Sequence, residues 1–252
     1  MNLTSKGGPD HSSADHKSTC LKPRIFRNIQ RPDPDISLAL RELGTATVHE
    51  AQSRTGLARP YLRPIYPARI AGPAVTVSCQ PGDNLMIHAS IEVCRPGDVL
   101  VVTTTSESTD GMFGDLLGVL CQARGVVGLI IDAGVRDTAE LTALQFPVWA
   151  KAICAQGTVK ASAGSVNVPV ICAGVAVNPG DVIVADSDGV VVVARRHAAE
   201  IVELGKQRIE KEEMAREQFR KGELSVDFFG LRAKLKELGV EYCPDLHDLP
   251  PS

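Results

Sequence analysis

The chain has 252 residues, 44% of them hydrophobic but only 4% aromatic, and a formal net charge of −3. Its supply of Val, Ile, Leu and Ala is enough to bury one sizeable core, so one domain of catalytic size with appendages is expected. The slightly acidic balance, with no basic stripe interleaved with aromatic residues, argues against a nucleic-acid partner and for a small molecule or a protein.

Residues 1–24 are rich in Ser, Asp, His, Lys and Gly, bury almost nothing, and read as a mobile extension. Pro34-Asp35, then Ile36, Leu38, Leu40 and Leu43, then Gly44, predicts a capped helix ended by a glycine, and Thr47-Val48-His49-Glu50-Ala51 starts a second. A strand is predicted from Ala68 to Cys79, a short amphipathic helix from Leu85 to Val93, and a strand buried on both faces from Val99 to Val102. A helix over 114–124, a strand from Val126 to Ile131 and a helix over 137–144 complete a βαβα pattern. Pro-Gly-Asp recurs at 81–83, 96–98 and 179–181, and the last two precede Val99-Leu100-Val101-Val102 and Val182-Ile183-Val184-Ala185. The motif therefore reads as a turn feeding core strands, without chemistry of its own. Val168 to Ala194 holds three or so short strands, including a hairpin at Ser187-Asp188-Gly189. Beyond His197 the chain turns to Glu, Lys, Arg and Gln through residue 221, with sparse apolar positions at Ile201, Leu204, Ile209, Met214 and Phe219. That helix is too polar for a core and reads as an arm reaching over a neighbouring subunit. The expected division is an extension over 1–24, a catalytic domain over 25–196, and a helical arm and tail over 197–252. The class is α/β, a mixed sheet covered by helices.

Seven cysteines, odd in number, scattered and never spaced Cys-x-x-Cys, indicate neither a disulfide framework nor a zinc ribbon and suit a reducing cytoplasm. No apolar run approaches the ~18 residues of a membrane span, and no apolar leader is seen, so a soluble cytoplasmic protein without a membrane partner is expected.

Chemistry concentrates between Gly114 and Glu140. Gly114-Asp115-Leu116-Leu117 opens one helix, and Arg136-Asp137 precedes another, each at the end of a strand in the βαβα pattern. A helix N-terminus offers unpaired N–H groups and a positive dipole end, which bind carboxylates and phosphates. Taken singly, Gly114-Asp115 reads as a helix cap, and Asp137-Thr138-Ala139-Glu140 as a capping box with Asp in place of Ser or Thr. Together, a guanidinium beside two carboxylates at one sheet edge suits an anion bound through Arg136 and a Mg²⁺ or Mn²⁺ ion bound through oxygen ligands. Asp132 is either part of this group or a strand-end cap. His49-Glu50 lacks the second histidine of a zinc-protease motif, and both residues lie either behind the site or on the surface. Lys151 and Lys160 are the lysines open to Schiff-base chemistry, but neither lies in a segment that suggests a desolvating pocket, so solvated side chains are expected.

Gly114-Asp115-Leu116-Leu117, followed by Gly134-Val135-Arg136-Asp137-x-x-Glu140, resembles the signature of the 4-hydroxy-4-methyl-2-oxoglutarate/4-carboxy-4-hydroxy-2-oxoadipate aldolases of the RraA-like superfamily. The likeness runs over about residues 26–243 and includes Thr47 to Ala51, Gly180 to Asp186 and the tail Gly222 to Asp227. It implies an RraA-like swivelling α-β-β-α sandwich with a C-terminal helical arm, assembled as a homotrimer or homohexamer. It also implies class II aldolase chemistry releasing pyruvate, with oxaloacetate decarboxylation alongside. On this likeness Asp137 ligates Mg²⁺ or Mn²⁺ and Arg136 contacts the 2-oxo acid substrate. The turn Gly114, Asp115, Leu116 and Leu117 binds its pyruvoyl part, and Asp115 holds a metal-bound water. One of Glu210, Glu212 and Glu213 on the arm is a candidate to enter an adjacent subunit's site. The RraA regulators of ribonucleases share the core and make the alternative expectation, a binding module without chemistry. The name menaquinone methyltransferase, attached to related chains, finds no support in a Gly-rich nucleotide loop.

Overall fold

The computed structural model describes residues 22–243. Helix α1 (Pro34–Ala51) is followed by strands β1 (Arg63–Pro64) and β2 (Ile70–Cys79), helix α2 (Leu85–Ile91), strands β3 (Val99–Thr104) and β4 (Gly111–Phe113), and helix α3 (Asp115–Ala123). Strand β5 (Gly128–Val135), helix α4 (Thr138–Ala143) and strands β6 (Val148–Ile153) and β7 (Ser165–Val166) come next. The hairpins β8 (Val170–Cys172) with β9 (Val175–Val177) and β10 (Val182–Ala185) with β11 (Val190–Val193) precede helices α5 (Ala198–Arg220), α6 (Ser225–Phe228) and α7 (Leu231–Glu237). The reading of 1–24 as an extension, and Cys20, fall almost wholly outside the described residues.

Strands β6, β5, β3 and β2 lie side by side and parallel, with Ile130 between Val101 and Trp149. The sheet continues antiparallel through β10 and β11, where Ala185 stands between Ile70 and Val190. Side chains alternate across each strand, so this one sheet feeds three buried layers. Ile87 of α2, Leu117 of α3 and Leu141 of α4 pack on Val77, Leu100, Leu129 and Ile131. On the opposite face Val101, Ile130 and Trp149 meet Ile183, Ala185 and Val190 where the sheet curls onto itself. Beyond β10 and β11, Val182, Val184, Val191 and Val193 pack on Leu40 and Val48 of α1 and on Ile201 and Val202 of α5. Helices, sheet, sheet and helices in that order make the expected α-β-β-α sandwich.

Gly44 has φ 77° and ψ 165° inside α1 and divides it into the two predicted helical segments, and the second is tied down by Thr45 N and Oγ1 donating to Asp186 at 2.8 and 2.6 Å. Strand β5 begins and ends later than the predicted Val126–Ile131, which moves Asp132 from a strand end to mid-strand. Strands β1, β4, β6 and β7 lack the length or apolar run that would mark them, β6 because Lys151 interrupts it. The helix expected to be too polar for a core divides in two. Ala198, Ile201, Val202 and Gly205 are buried in the layer with α1, β10 and β11, whereas Ile209, Met214 and Phe219 are exposed and Ala215 alone is buried in the second half. No helix among the described residues is long and apolar enough to cross a membrane.

Leu40 is fully buried where α1 meets β10, β11 and α5. Leu40→Ala is expected to destabilise the fold by about 2–5 kcal/mol through lost burial and a residual cavity, read as a lowered midpoint of denaturant unfolding at unchanged slope.

Candidate functional site

Strands β4 and β5 run parallel to one another and deliver Gly114 and Arg136-Asp137 to the same edge of the sheet, and Arg136 N donates to Phe113 O at 2.9 Å across the pair. Asp137 takes a left-handed conformation, φ 53° and ψ 41°, at the start of α4, and its side chain caps none of that helix's amides. The predicted capping box is therefore absent. The carboxylate points instead across to α3, where Asp137 Oδ2 accepts from Asp115 N at 3.3 Å and lies 3.4 Å from Arg136 Nε. Gly114 makes this approach possible: a Cβ there would stand 2.3 Å from Asp137 Oδ2 and 3.2 Å from Arg136 Cγ.

Gly114, Asp115, Leu116, Leu117, Arg136 and Asp137 line one cleft of about 150 Å³ together with Asn84, His88, Gly157, Thr158 and Lys160. That volume is below the ~300–1,000 Å³ of sites for drug-sized ligands and suits a compound of a few heavy atoms. Asp115, Leu116 and Leu117 begin α3 at the cleft, where the N-cap Gly114 offers no side-chain acceptor and the positive end of the helix dipole lies; Asp115 N is bonded to Asp137. Asn84 Nδ2 donates to Met112 O at 3.0 Å, and its Oδ1 is buried without a partner beneath the cleft. Burial, and then the charge of Lys160, lowers the His88 pKa.

Sequence reasoning missed Asn84, His88, Gly157 and Thr158, and gave Lys160 only a solvated role. All come from the turn 80–84, the exposed side of α2 and the loop 154–164, where no apolar period marks the side chains. Other candidates lie elsewhere. Asp132 accepts from Tyr61 Oη at 2.9 Å and Ala173 N at 2.8 Å on the other face of β5, away from the cleft. Lys151 is not solvated: it pairs with Glu107 at 2.6 Å and sits 5.5 Å from the centre of the Tyr61 ring. Glu50 pairs with Arg54 and Arg208. Glu212 and Glu213 are held by arginines of their own helix, Glu212 by Arg208 and Arg216 and Glu213 by Arg216 and Arg220. Burial pushes the thiols of Cys79 and Cys121 up to about 12 and those of Cys94 and Cys172 up as well, so none of the four is a ready nucleophile.

No group of three or more His, Cys, Asp or Glu side chains with metal-ligand spacing occurs among the described residues. The carboxylates on the cleft are those of Asp115 and Asp137, beside the Asn84 amide oxygen and the His88 imidazole. One or two carboxylates, with water completing the shell, is how proteins hold Mg²⁺, and such hard oxygen donors suit Mn²⁺ equally, whereas the thiolate and imidazole set of a structural zinc site is missing.

Residues 45–192, more than half of the chain, match the RraA-like family, described as Aldolase/RraA. The chain belongs to the RraA-like family. A relative from Halalkalibacterium halodurans, provisionally named a 4-hydroxy-4-methyl-2-oxoglutarate aldolase, is 30% identical over 170 residues, 68% of this chain and 79% of its own. The solved structure of Streptomyces coelicolor RraAS2, described as an unusual member of the RNase ES inhibitor RraA protein family, superposes with a TM-score of 0.68 at 29% identity, covering 75% of this chain and 99% of its own. A Geobacillus kaustophilus structure described as an S-adenosylmethionine: 2-dimethylmenaquinone methyltransferase superposes with a TM-score of 0.55 at 29% identity, covering 60% of this chain and 91% of its own. The RraA-like architecture thus carries several names, and the side chains of each cleft must decide the chemistry.

Gly114→Ala is a local test of this geometry, since the extended backbone there, φ −145°, accepts any residue and only the Asp137 carboxylate and the Arg136 stem are in the way. The variant is expected to keep its unfolding midpoint and to lose about 10–100-fold in Mn²⁺ affinity measured by electron paramagnetic resonance, the usual cost of displacing a metal-site carboxylate's support.

Proposed function

We propose that this chain is a divalent-metal-dependent pyruvate aldolase. It cleaves 4-hydroxy-4-methyl-2-oxoglutarate or 4-carboxy-4-hydroxy-2-oxoadipate to pyruvate plus pyruvate or oxaloacetate, and decarboxylates oxaloacetate as a side reaction. The observation that carries the reading is the meeting of Arg136, Asp137 and the N-terminal end of α3 in one small cleft.

The Arg136 guanidinium pairs with the C1 carboxylate, and the amides of Asp115, Leu116 and Leu117 receive the pyruvoyl oxygens. Asp115, acting through one water, takes the proton of the C4 hydroxyl. As the C3–C4 bond breaks, its electron pair passes into the pyruvoyl half, the C4 oxygen becomes a carbonyl, and a proton then returns to C3. Asp137 would hold Mg²⁺ or Mn²⁺, with Asp115 holding a water of its shell, and the ion when bound would supply positive charge next to the oxygens that gain electron density. Loss of CO₂ from oxaloacetate leaves an electron pair at the same carbon, which is why one site serves both reactions. Lys160 on the rim, with the neutral imidazole of His88 beside it, is placed to meet a second carboxylate. The rim is open, with the Arg136 side chain 47% exposed, and a neighbouring copy in a homotrimer or homohexamer is proposed to close it. The name of the Halalkalibacterium halodurans relative supports the same reading.

The likeness to RraAS2 favours a second reading, a regulator that docks on a ribonuclease or helicase and does no chemistry. Metal-stripped protein separates the two. Pyruvate release from 4-hydroxy-4-methyl-2-oxoglutarate, coupled to lactate dehydrogenase, is expected to appear only after Mg²⁺ or Mn²⁺ is added, with no covalent trapping at Lys160 by borohydride. Folded protein silent with both metals would move the assignment to the regulator.

Asp137→Ala is expected to lose metal-dependent turnover with the fold retained, and a wild-type rate in this variant would remove the site assignment. Arg136→Ala should weaken inhibition by pyruvate about 10–100-fold, the scale of one lost charge-assisted pair. Asp115→Asn should lower kcat and leave metal affinity in place.

A further inference from the structure

The three Pro-Gly-Asp turns look alike in sequence, and the carboxylate of each is buried, yet the partners differ. Asp98 accepts from Nε and Nη2 of Arg31, both at 2.7 Å, and from its own turn's Arg95 N at 2.7 Å. Asp181 accepts from Asn178 N and Nδ2 within its own turn and from Arg195 N, at 2.9 to 3.0 Å. Asp83 is 2% exposed and makes no ion pair among the described residues. Its Oδ1 accepts from Leu85 N at 2.9 Å, at the start of α2, and its Oδ2 accepts from Ala161 N at 2.8 Å and Ser162 N at 2.6 Å.

Those last two amides belong to the loop that puts Gly157, Thr158 and Lys160 on the cleft, while Asn84 and His88 follow Asp83 directly. Between this loop and residues 80–88 the backbone adds Asn84 N to Val159 O and Val159 N to Gly82 O, both at 3.0 Å, while Gly111 N of β4 donates to Gln156 O at 2.8 Å. Apolar burial does not anchor this loop, because Val159 is 62% exposed and residues 155–157 and 159–161 are all exposed. A buried carboxylate gripping two consecutive N–H groups is thus the main tie between the loop and the 80–88 wall, and bonds to a charged acceptor are the stronger kind. Burial by itself would raise the Asp83 pKa, but the amides of Leu85, Ala161 and Ser162 outweigh it and hold the carboxyl below its ordinary range, so it is charged at neutral pH. The loop also abuts the proposed anion-binding arginine: a Cβ on Gly157 would stand 3.1 Å from a terminal nitrogen of Arg136.

We infer that Asp83 is a positioning residue, a carboxylate clamp that fixes the loop 157–162 against the turn 82–85 and so sets where Lys160, Thr158 and Arg136 meet the substrate. In its effect on turnover this rests on the aldolase reading above. In its effect on the loop it does not. Asp83 touches neither Asp115, Asp137 nor the α3 amides, so its loss is a defect of binding.

The test uses D83N, which keeps volume but turns an amide NH₂ toward one set of N–H donors, and D83A, which removes the acceptor. Amide hydrogen exchange at Ala161 and Ser162 is expected to speed up at least about tenfold in both while Val101 and Ile130 in the sheet stay protected. KM for 4-hydroxy-4-methyl-2-oxoglutarate should rise about tenfold with kcat within about threefold, the pattern of lost uniform binding. Unchanged exchange at Ala161 and Ser162 overturns the clamp, as does a fall in kcat at constant KM. If the wild type releases no pyruvate with either metal, the aldolase reading falls by itself, and the exchange rates of the two amides alone decide the role of Asp83.

Discussion

The turn from β5 into α4 carries the constraint on which the cleft depends. Asp137 is held in the left-handed region, a conformation that costs a non-glycine residue about 1–3 kcal/mol and that Asp tolerates better than most. In a relaxed N-cap geometry its carboxylate would serve its own helix. Here it is aimed at the first amide of α3 and at Arg136. The arrangement persists because β4 and β5 are hydrogen-bonded neighbours and because Gly114 leaves the space a side chain would fill. One absent Cβ and one strained φ together place the N-terminal end of α3 beside a carboxylate and a guanidinium.

The sheet makes that edge rigid. Its central strands are rich in valine, isoleucine, leucine and alanine with almost no aromatic content; one face of the sheet packs on itself and helices cover the outer surfaces. Trp149 is the exception, fully buried at the inner layer with its indole N–H donating to Asp186 O at 2.8 Å. Asp186 also receives Thr45 N and Oγ1, so one residue after β10 ties the inner core to the kinked helix α1. Stability is concentrated in these layers. The loops on the cleft side are held by polar bonds.

This division accounts for how one family carries an aldolase name in one relative and an RNase inhibitor description in another. The layers fix the architecture, and the cleft's chemistry depends on a few side chains at strand ends and in one exposed loop, all of which can change at small cost to the core. In this chain the acidic and basic groups that the proposed chemistry uses, Asp115, Arg136 and Asp137, share the cleft with Asn84, His88 and Lys160.

The sequence by itself determined the α/β class, the central strands, the kink at Gly44 and the grouping of Gly114 to Leu117 with Arg136 and Asp137, because apolar period, glycine placement and short-range spacing are local properties. The strands β1, β4, β6 and β7 were not legible, since each is short or interrupted and exists through pairing with distant partners. The same limit hid Asn84, His88 and Lys160, whose convergence is produced by a carboxylate at position 83 accepting from amides 78 and 79 residues further along. It also misdirected Lys151 and Asp132, which their strands turn to the other face of the sheet. Three identical Pro-Gly-Asp turns show the boundary most clearly: the tripeptide dictates the bend, while what each buried carboxylate binds is decided by which segment of the folded chain arrives beside it.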